Sequence, residues 1–454
     1  MLDTQTTGAR LRHGLSAVEY FTFGFGTMVG VGWLVLMDDW LGRGGPGGAM
    51  LAFLVGGLLL LPVARTYGSL VRRIPDAGAE IAYTEGVLPP FLSFTAGWTM
   101  VLAYAIVCPW EAVAIGNLLA RVMPWLNSLP LYELAGRPIY APRLVTGLAL
   151  TALITIVNLR GIRPSGVFQD VTTFGLLALF AVFVVLGAMR GDAANMQPLF
   201  PRPGSVGALL STLLALQIVP YFMTGFESVV KGSEEAKAGF DRRHFARAMY
   251  LAVVAGFLFY VLIVGVVSFV YPWREIVSGH VGTEAAFEQA FRSRGMARLV
   301  LVAAFLSLLK VFNGNFVAAT RLVLAIGRRG LVHPALARVH EVRGTPSAAI
   351  WFVAGFTGVS VLLGDALLVP VTEVGSFAAG IGWLSACGAW LLRVDDERRW
   401  PAWVGAAVAL AFVAMKVLPF VPGSFTRTEW LALAGWLGLG WAFWKVRKNP
   451  AGRR

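Results

Sequence analysis

Gly24, Gly26, Gly30 and Gly32 crowd into one apolar stretch, Gly24-Phe25-Gly26-Thr27-Met28-Val29-Gly30-Val31-Gly32-Trp33. Each weakens a helix by roughly 1 kcal/mol relative to alanine. A helix in lipid must satisfy its own backbone, so such a break is tolerable only where protein or a wet cavity takes over the freed N–H and C=O groups. Those groups are natural ligands for a small charged solute. A second interruption reads Pro220-Tyr221-Phe222-Met223-Thr224-Gly225-Phe226-Glu227, where proline removes a helix hydrogen bond and a glycine precedes an acid. Glu111, Glu227 and Lys310 also fall inside apolar stretches, where a charge is costly unless paired or wet. This is the chemistry of reversible recognition and proton carriage. Bond-making would need paired aspartates or an H-E-x-x-H pattern at depth, and neither is present. The five histidines, at 13, 244, 280, 333 and 340, fall in loops or tails, and no cofactor or metal is implied.

The elements that position these residues follow from composition. The 454-residue chain is 57 % hydrophobic and only 14 % charged, with mean hydropathy +0.69. Soluble domains carry about 25 % charged residues, so a polytopic all-α membrane protein is indicated. The two cysteines, Cys108 and Cys387, lie in apolar segments and leave no disulfide framework or cysteine zinc site. Residues 1–14 are polar and the next apolar stretch is too long for the core of a cleavable signal. At about 20 residues per crossing, twelve spans are expected near 16–41, 48–70, 91–121, 142–159, 166–189, 205–231, 245–271, 296–327, 347–363, 366–392, 401–418 and 428–445. If the N-terminus is cytoplasmic, most of the 38 Lys and Arg fall on the cytoplasmic side, Lys231 and Arg328 among them. The formal charge of +13 is then a topology signal for two cytoplasmic termini, and nucleic-acid binding drops out. Arg65 and Arg321 are expected to snorkel or cap cytoplasmic helix ends. Asp38 and Asp39 read as a solvated outer rim.

The first and sixth spans are both interrupted, and their odd offset puts them in opposite orientations. Matched interruptions in two halves point to an inverted-repeat transporter with its site near the midplane. Three segments carry a family resemblance. Gly24–Trp33 is similar to a G-x-G-x-x-x-G-[ST]-G-[IV]-F stretch. Thr224-Gly225-Phe226-Glu227 with Glu234-Glu235 resembles G-F-[DE]…E-E. Asn313-Gly314, Arg321, Arg328, Gly330-Leu331, Pro334, Val339-His340 and Thr345-Pro346 match a third run, and Ile74-Pro75-Asp76-Ala77-Gly78-Ala79-Glu80 adds a loop. On these the chain resembles the amino acid–polyamine–organocation (APC) superfamily of permeases. That implies a LeuT-like five-plus-five repeat with helices 1 and 6 broken. The transporter core would run over 16–395, with repeats about 16–190 and 205–395. Two additional helices would occupy 396–446, between cytoplasmic tails at 1–15 and 447–454.

The resemblance also implies roles. N–H groups of Val31 and Gly32 would hold a substrate carboxylate. Carbonyls of Met28, Val29, Tyr221, Phe222 and Thr224 would hold its ammonium. The family usually has Ser or Thr where Val31 stands, so either backbone alone serves the carboxylate or the substrate is not a standard α-amino acid. Phe222, Met223 and Phe226 are candidate gates, with apolar packing as the alternative. Glu227 is either a substrate or proton group, or a structural carboxylate bonding nearby N–H groups. Glu111, on the helix that lines the site in this fold, is read as a cation contact or proton carrier. Lys310, on the helix bordering the sodium site of sodium-driven members, is either a coupling residue or the partner of a carboxylate. Leu176 stands where some relatives place a coupling lysine.

The expectation is a secondary active permease for amino acids or related amines, in the bilayer of an inner (plasma) membrane. It would work by alternating access, coupled to protons or by exchange. A polyamine or organic-cation permease is the alternative. A channel would not explain two oppositely oriented breaks, and a nontransporting sensor would be expected to carry a signalling domain. Substrate identity and oligomeric state are not legible.

Overall fold

A computed structural model describes residues 11–393 and 399–447. Ser16 starts the first helix: its N–H donates to Glu19 Oε2 at 2.7 Å within a capping box. Helix α1 (Ala17–Met28) stops, residues 29–31 run as irregular backbone, and α2 (Gly32–Val35) resumes. In α3 (Met37–Arg73) two helices meet at a kink, Gly45, with φ of 63°. A Cβ there would lie 2.7 Å from the Leu199 carbonyl oxygen, so only glycine fits. Short α4 (Glu80–Thr84) leads to α5 (Pro90–Ala105) and α6 (Val107–Ala120). One span was expected over 91–121. It is one stretch, Pro90–Ala120, with a single-residue interruption at Ile106, where Pro109 offers no N–H to the Ala105 carbonyl and its ring crowds that group.

The loop expected at 122–141 contains an antiparallel hairpin, β1 (Pro130–Leu134) and β2 (Arg137–Tyr140), an addition to the all-α reading. Ala135 (φ 52°) and Gly136 (φ 74°) both take the positive φ that a two-residue primed turn requires. Then come α7 (Ala141–Arg160) and α8 (Ile162–Arg190). The expected sixth span, 205–231, is three pieces: α9 (Gly204–Leu216), α10 (Val219–Met223) and α11 (Ser228–Lys231). α9 ends four residues before Pro220, whose ring excludes the Leu216 carbonyl from a helix bond. The remaining helices are α12 (Arg243–Val270), α13 (Trp273–Gly279), α14 (Thr283–Phe291), α15 (Arg294–Arg328), α16 (Ser347–Val361), α17 (Leu368–Arg393), α18 (Trp400–Val417) and α19 (Arg427–Val446).

Among the described residues, nine helical stretches are long and apolar enough to cross a membrane, and α9 and α16 are apolar but shorter. The protein is a multi-pass, mostly helical membrane protein. α1 packs on α12, α8 and α15, while α3 packs on α12, α9 and α18. Both cysteines are free and buried. Residues 11–15, expected as tail, are anchored: Gly14 and Leu15 N–H donate to the Glu235 carbonyl at 2.8 and 2.9 Å. The rest of both expected tails, 1–10 and 448–454, lies outside the described residues.

Candidate functional site

The two helix breaks meet. Gly225 (φ 129°) presses its backbone on the first break, and a Cβ there would fall 2.8 Å from Met28 N. Thr224 (ψ 137°) turns the chain out of α10, and the Gly225 N–H donates to Glu227 Oε2 at 3.2 Å. On the other side, Val29 and Val31 carry the chain between α1 and α2. As first-turn donors, the N–H groups entering α2 have no intrahelical acceptor. The Met28 carbonyl accepts the Tyr260 hydroxyl at 2.9 Å.

Between the breaks lies a cavity of about 20 Å³, room for about one water. Of the residues expected at the site, Met28, Gly32, Tyr221, Phe222, Thr224 and Glu111 line it. Val29, Val31 and Glu227 do not. Thr27, Gly30, Trp110, Val107, Val311 and Asn315 also line it and were not anticipated. Asn315 could have been found as a polar residue directly after the Asn313-Gly314 motif, inside an apolar span. Its Nδ2 donates to the Thr27 carbonyl at 3.2 Å and to Val311 at 2.8 Å. Glu111 approaches the bare backbone of Gly30 so closely that a Cβ there would sit 2.9 Å from Oε1. Its Oε2 is buried and accepts no hydrogen bond among the described residues.

Phe222 lies over Gly32, where a Cβ would come within 2.3 Å of the ring, and packs on Trp40 at 4.7 Å. Met223 is buried near Gly256. Phe226, fully buried and not lining the cavity, meets Tyr67 edge-on (6.1 Å) and Trp383 at a tilt (6.0 Å).

Lys310 occupies the back of the first break. Its Nζ donates to the Gly26 carbonyl at 3.3 Å and to Val29, and stands 5.4 Å from the Phe25 ring centroid. Ser307 donates to Val29 and Gly30 at 3.1 and 2.8 Å, so the Val29 carbonyl faces these side chains and not the cavity. No carboxylate contacts Lys310 directly among the described residues, although Glu111 is its nearest electrostatic partner. The ammonium thus binds carbonyls as an inorganic cation would. Leu176 is buried in α8.

A second polar layer is built from buried and half-buried ion pairs. Lys231 and Glu80, both fully buried, pair at 2.6 Å, and Tyr67 donates to the same Glu80 oxygen at 2.6 Å. Lys231, counted above with the cytoplasmic charges, is thus turned inward and paired. Arg321, expected to snorkel or to cap a helix end, does not snorkel: it is buried, and it forks both oxygens of Glu235 at 3.0 and 2.9 Å. Arg328 pairs with Glu234 at 2.7 Å, and Arg329 with Asp76 (2.7 Å) and Glu85 (3.0 Å). The loop 74–80, the acids after the second break and the end of α15 thereby form one ionic layer. Glu227, four residues before Lys231 on the chain, is the N-cap residue of α11, directly after the second break. On the opposite side of the site Asp39 pairs with Arg43 at 2.8 Å and Asp38 with His280 at 2.9 Å, so the acidic rim is partnered.

A family model described as amino acid permease matches residues 15–443. The chain is similar to the branched-chain amino acid permease BcaP of Bacillus subtilis, at 25 % identity over 85 % of this chain and 81 % of that protein. It is 24 % identical to the methylthioribose transporter of the same organism, over 97 % and 94 % of the two chains. The Bacillus subtilis amino-acid permease RocE is 22 % identical over 85 % and 81 %.

Proposed function

The chain belongs to the amino acid permease family of the APC superfamily, and from that premise we propose alternating-access transport of an amino acid or a closely related amine. The carrying observation is the junction of the breaks, where Gly225 touches Met28 beside a cavity holding Glu111. N–H groups entering α2 present the positive end of a helix dipole, suited to a carboxylate. Glu111 and the carbonyl of Thr224 suit an ammonium. A substrate needs far more room than one water, so Phe222 must swing off Gly32 to admit it.

The full reading has twelve crossings, counting α9–α11, α16 and α19 with the nine longer stretches, in a five-plus-five inverted repeat plus two helices. Both termini would be cytoplasmic in a plasma-type membrane. The ionic layer then serves as the cytoplasmic gate, closed in this conformation. Lys310 supports proton coupling: a charged ammonium holds the Gly26 and Val29 carbonyls, and a neutral amine would hold them weakly. Ordinary sodium coupling would have to displace it.

Glu111 favours a second reading, an organic-cation permease, because a buried carboxylate whose Oε2 accepts no hydrogen bond among the described residues suits a cation lacking a carboxylate of its own. Uptake into proteoliposomes under an imposed pH gradient, with competition by branched-chain amino acids, methylthioribose and diamines, decides. Competition by α-amino acids supports the zwitterion reading. Competition by diamines alone overturns it.

A further inference from the structure

A groove of about 670 Å³ lies beside the ionic layer, between α3, α12, α17 and the start of α18. Arg65, Ser69 and Arg72 line it at helical spacing on one face of α3, with Arg73 adjoining. The three arginines are exposed, and none meets a carboxylate within ion-pair distance among the described residues. Arg321, Arg328 and Arg329, at the end of α15, are each paired. The contrast is chemical: among the described residues the first group has no carboxylate partner, and the second is paired.

Aromatic rings hold guanidinium groups of the first set in place. Arg73 lies 4.6 Å from the ring centroid of Trp390 and Arg65 lies 5.9 Å from that of Trp400. Tyr250 adds a hydroxyl at the wall, and Arg72 reaches Ser69 Oγ at 3.5 Å. Guanidinium forks match phosphate oxygens in pairs, and basic pockets between membrane helices take lipid headgroups. Leu251, next in sequence to Tyr250, and Val404, one helical turn beyond Pro401, are exposed apolar side chains on the helices that wall the groove. A free phosphate would have no use for them, whereas acyl chains would.

We propose that this groove binds the phosphate headgroup of an anionic phospholipid from the leaflet on the side of both termini. The headgroup would bridge α3, α12 and α17, and so couple the lipid to helices on both sides of the ionic layer.

The test uses the full-length protein in detergent and the variant R65Q/R72Q/R73Q, none of whose positions touches the substrate cavity. Thermal unfolding is followed on titration with phosphatidylglycerol, phosphatidylcholine or inorganic phosphate. Equal melting of the two proteins in phosphatidylcholine shows that the variant is folded; if it is not, single Arg→Gln variants replace it. Phosphatidylglycerol is expected to stabilise the native protein and to bind the triple variant about 100-fold more weakly, about fivefold per arginine. Equal stabilisation of both proteins overturns the proposal, and so does stabilisation of the native protein by inorganic phosphate alone. The acids Asp395, Asp396 and Glu397 lie outside the described residues. A phosphatidylglycerol effect that emerges only in D395N/D396N/E397Q would mean that the chain fills its own groove, which also overturns the proposal.

Discussion

Gly225 and Gly32 are glycine for different reasons, and substitution separates them. At Gly225 an added methyl meets backbone and the φ of 129° opposes any side chain. Gly225→Ala is expected to prevent accumulation of folded protein, read as loss of the monodisperse peak in size-exclusion chromatography. At Gly32 the methyl meets only the Phe222 ring, which can rotate. Gly32→Ala is expected to fold at a cost of about 1–3 kcal/mol and to weaken substrate uptake. Phe222→Ala in the same background should restore part of that uptake. Lys310→Met removes the cation that holds the Gly26 and Val29 carbonyls. Proteoliposome uptake across a pH series is expected to fall and to lose its pH dependence. An unchanged profile would end the coupling role.

At the scale of elements, the informative unit is the ionic layer joining the loop 74–80, α11 and α15. A buried pair is weak evidence for stability, but leaving one member alone is expensive. Lys231→Met or Glu80→Gln is therefore expected to cost about 3–5 kcal/mol, while the double variant recovers most of it. Melting of the three purified variants checks this. If the layer is the gate, the double variant should also expose cysteines placed above it to reagents added from the cytoplasmic side. The prolines act at the same scale. Pro109 interrupts the stretch Pro90–Ala120 four residues upstream and Pro220 ends α9 four residues upstream, so that Glu111 and Thr224 each follow a proline-marked interruption.

For the whole molecule, orientation is open to direct measurement. Cys108 and Cys387 are buried, so background labelling should be low. Leu131→Cys, on the exposed hairpin, is expected to react with an impermeant thiol reagent from outside intact cells. Ala238→Cys, in the exposed turn after α11, should react only after the membrane is opened. The reverse pattern would invert the topology. Much of this architecture is legible in residue order alone. Long apolar runs separated by polar loops define the crossings, because lipid leaves the backbone no other solution. Glycine and proline mark the breaks, because their effect on a helix is local. The motifs point to the family for the same reason. Tertiary structure decides which groups face one another. Glu111 meets Gly30 from another helix, and Asn315 reaches Thr27 across 288 residues. Lys231 and Arg321 look like surface charges by position and are buried partners in fact. Val29 and Val31 sit between the lining residues Met28, Gly30 and Gly32 without lining the cavity themselves, and the Val29 carbonyl is taken by Ser307 and Lys310. A charge's environment is a sum over neighbours distant in sequence, and no local pattern of residues encodes that sum.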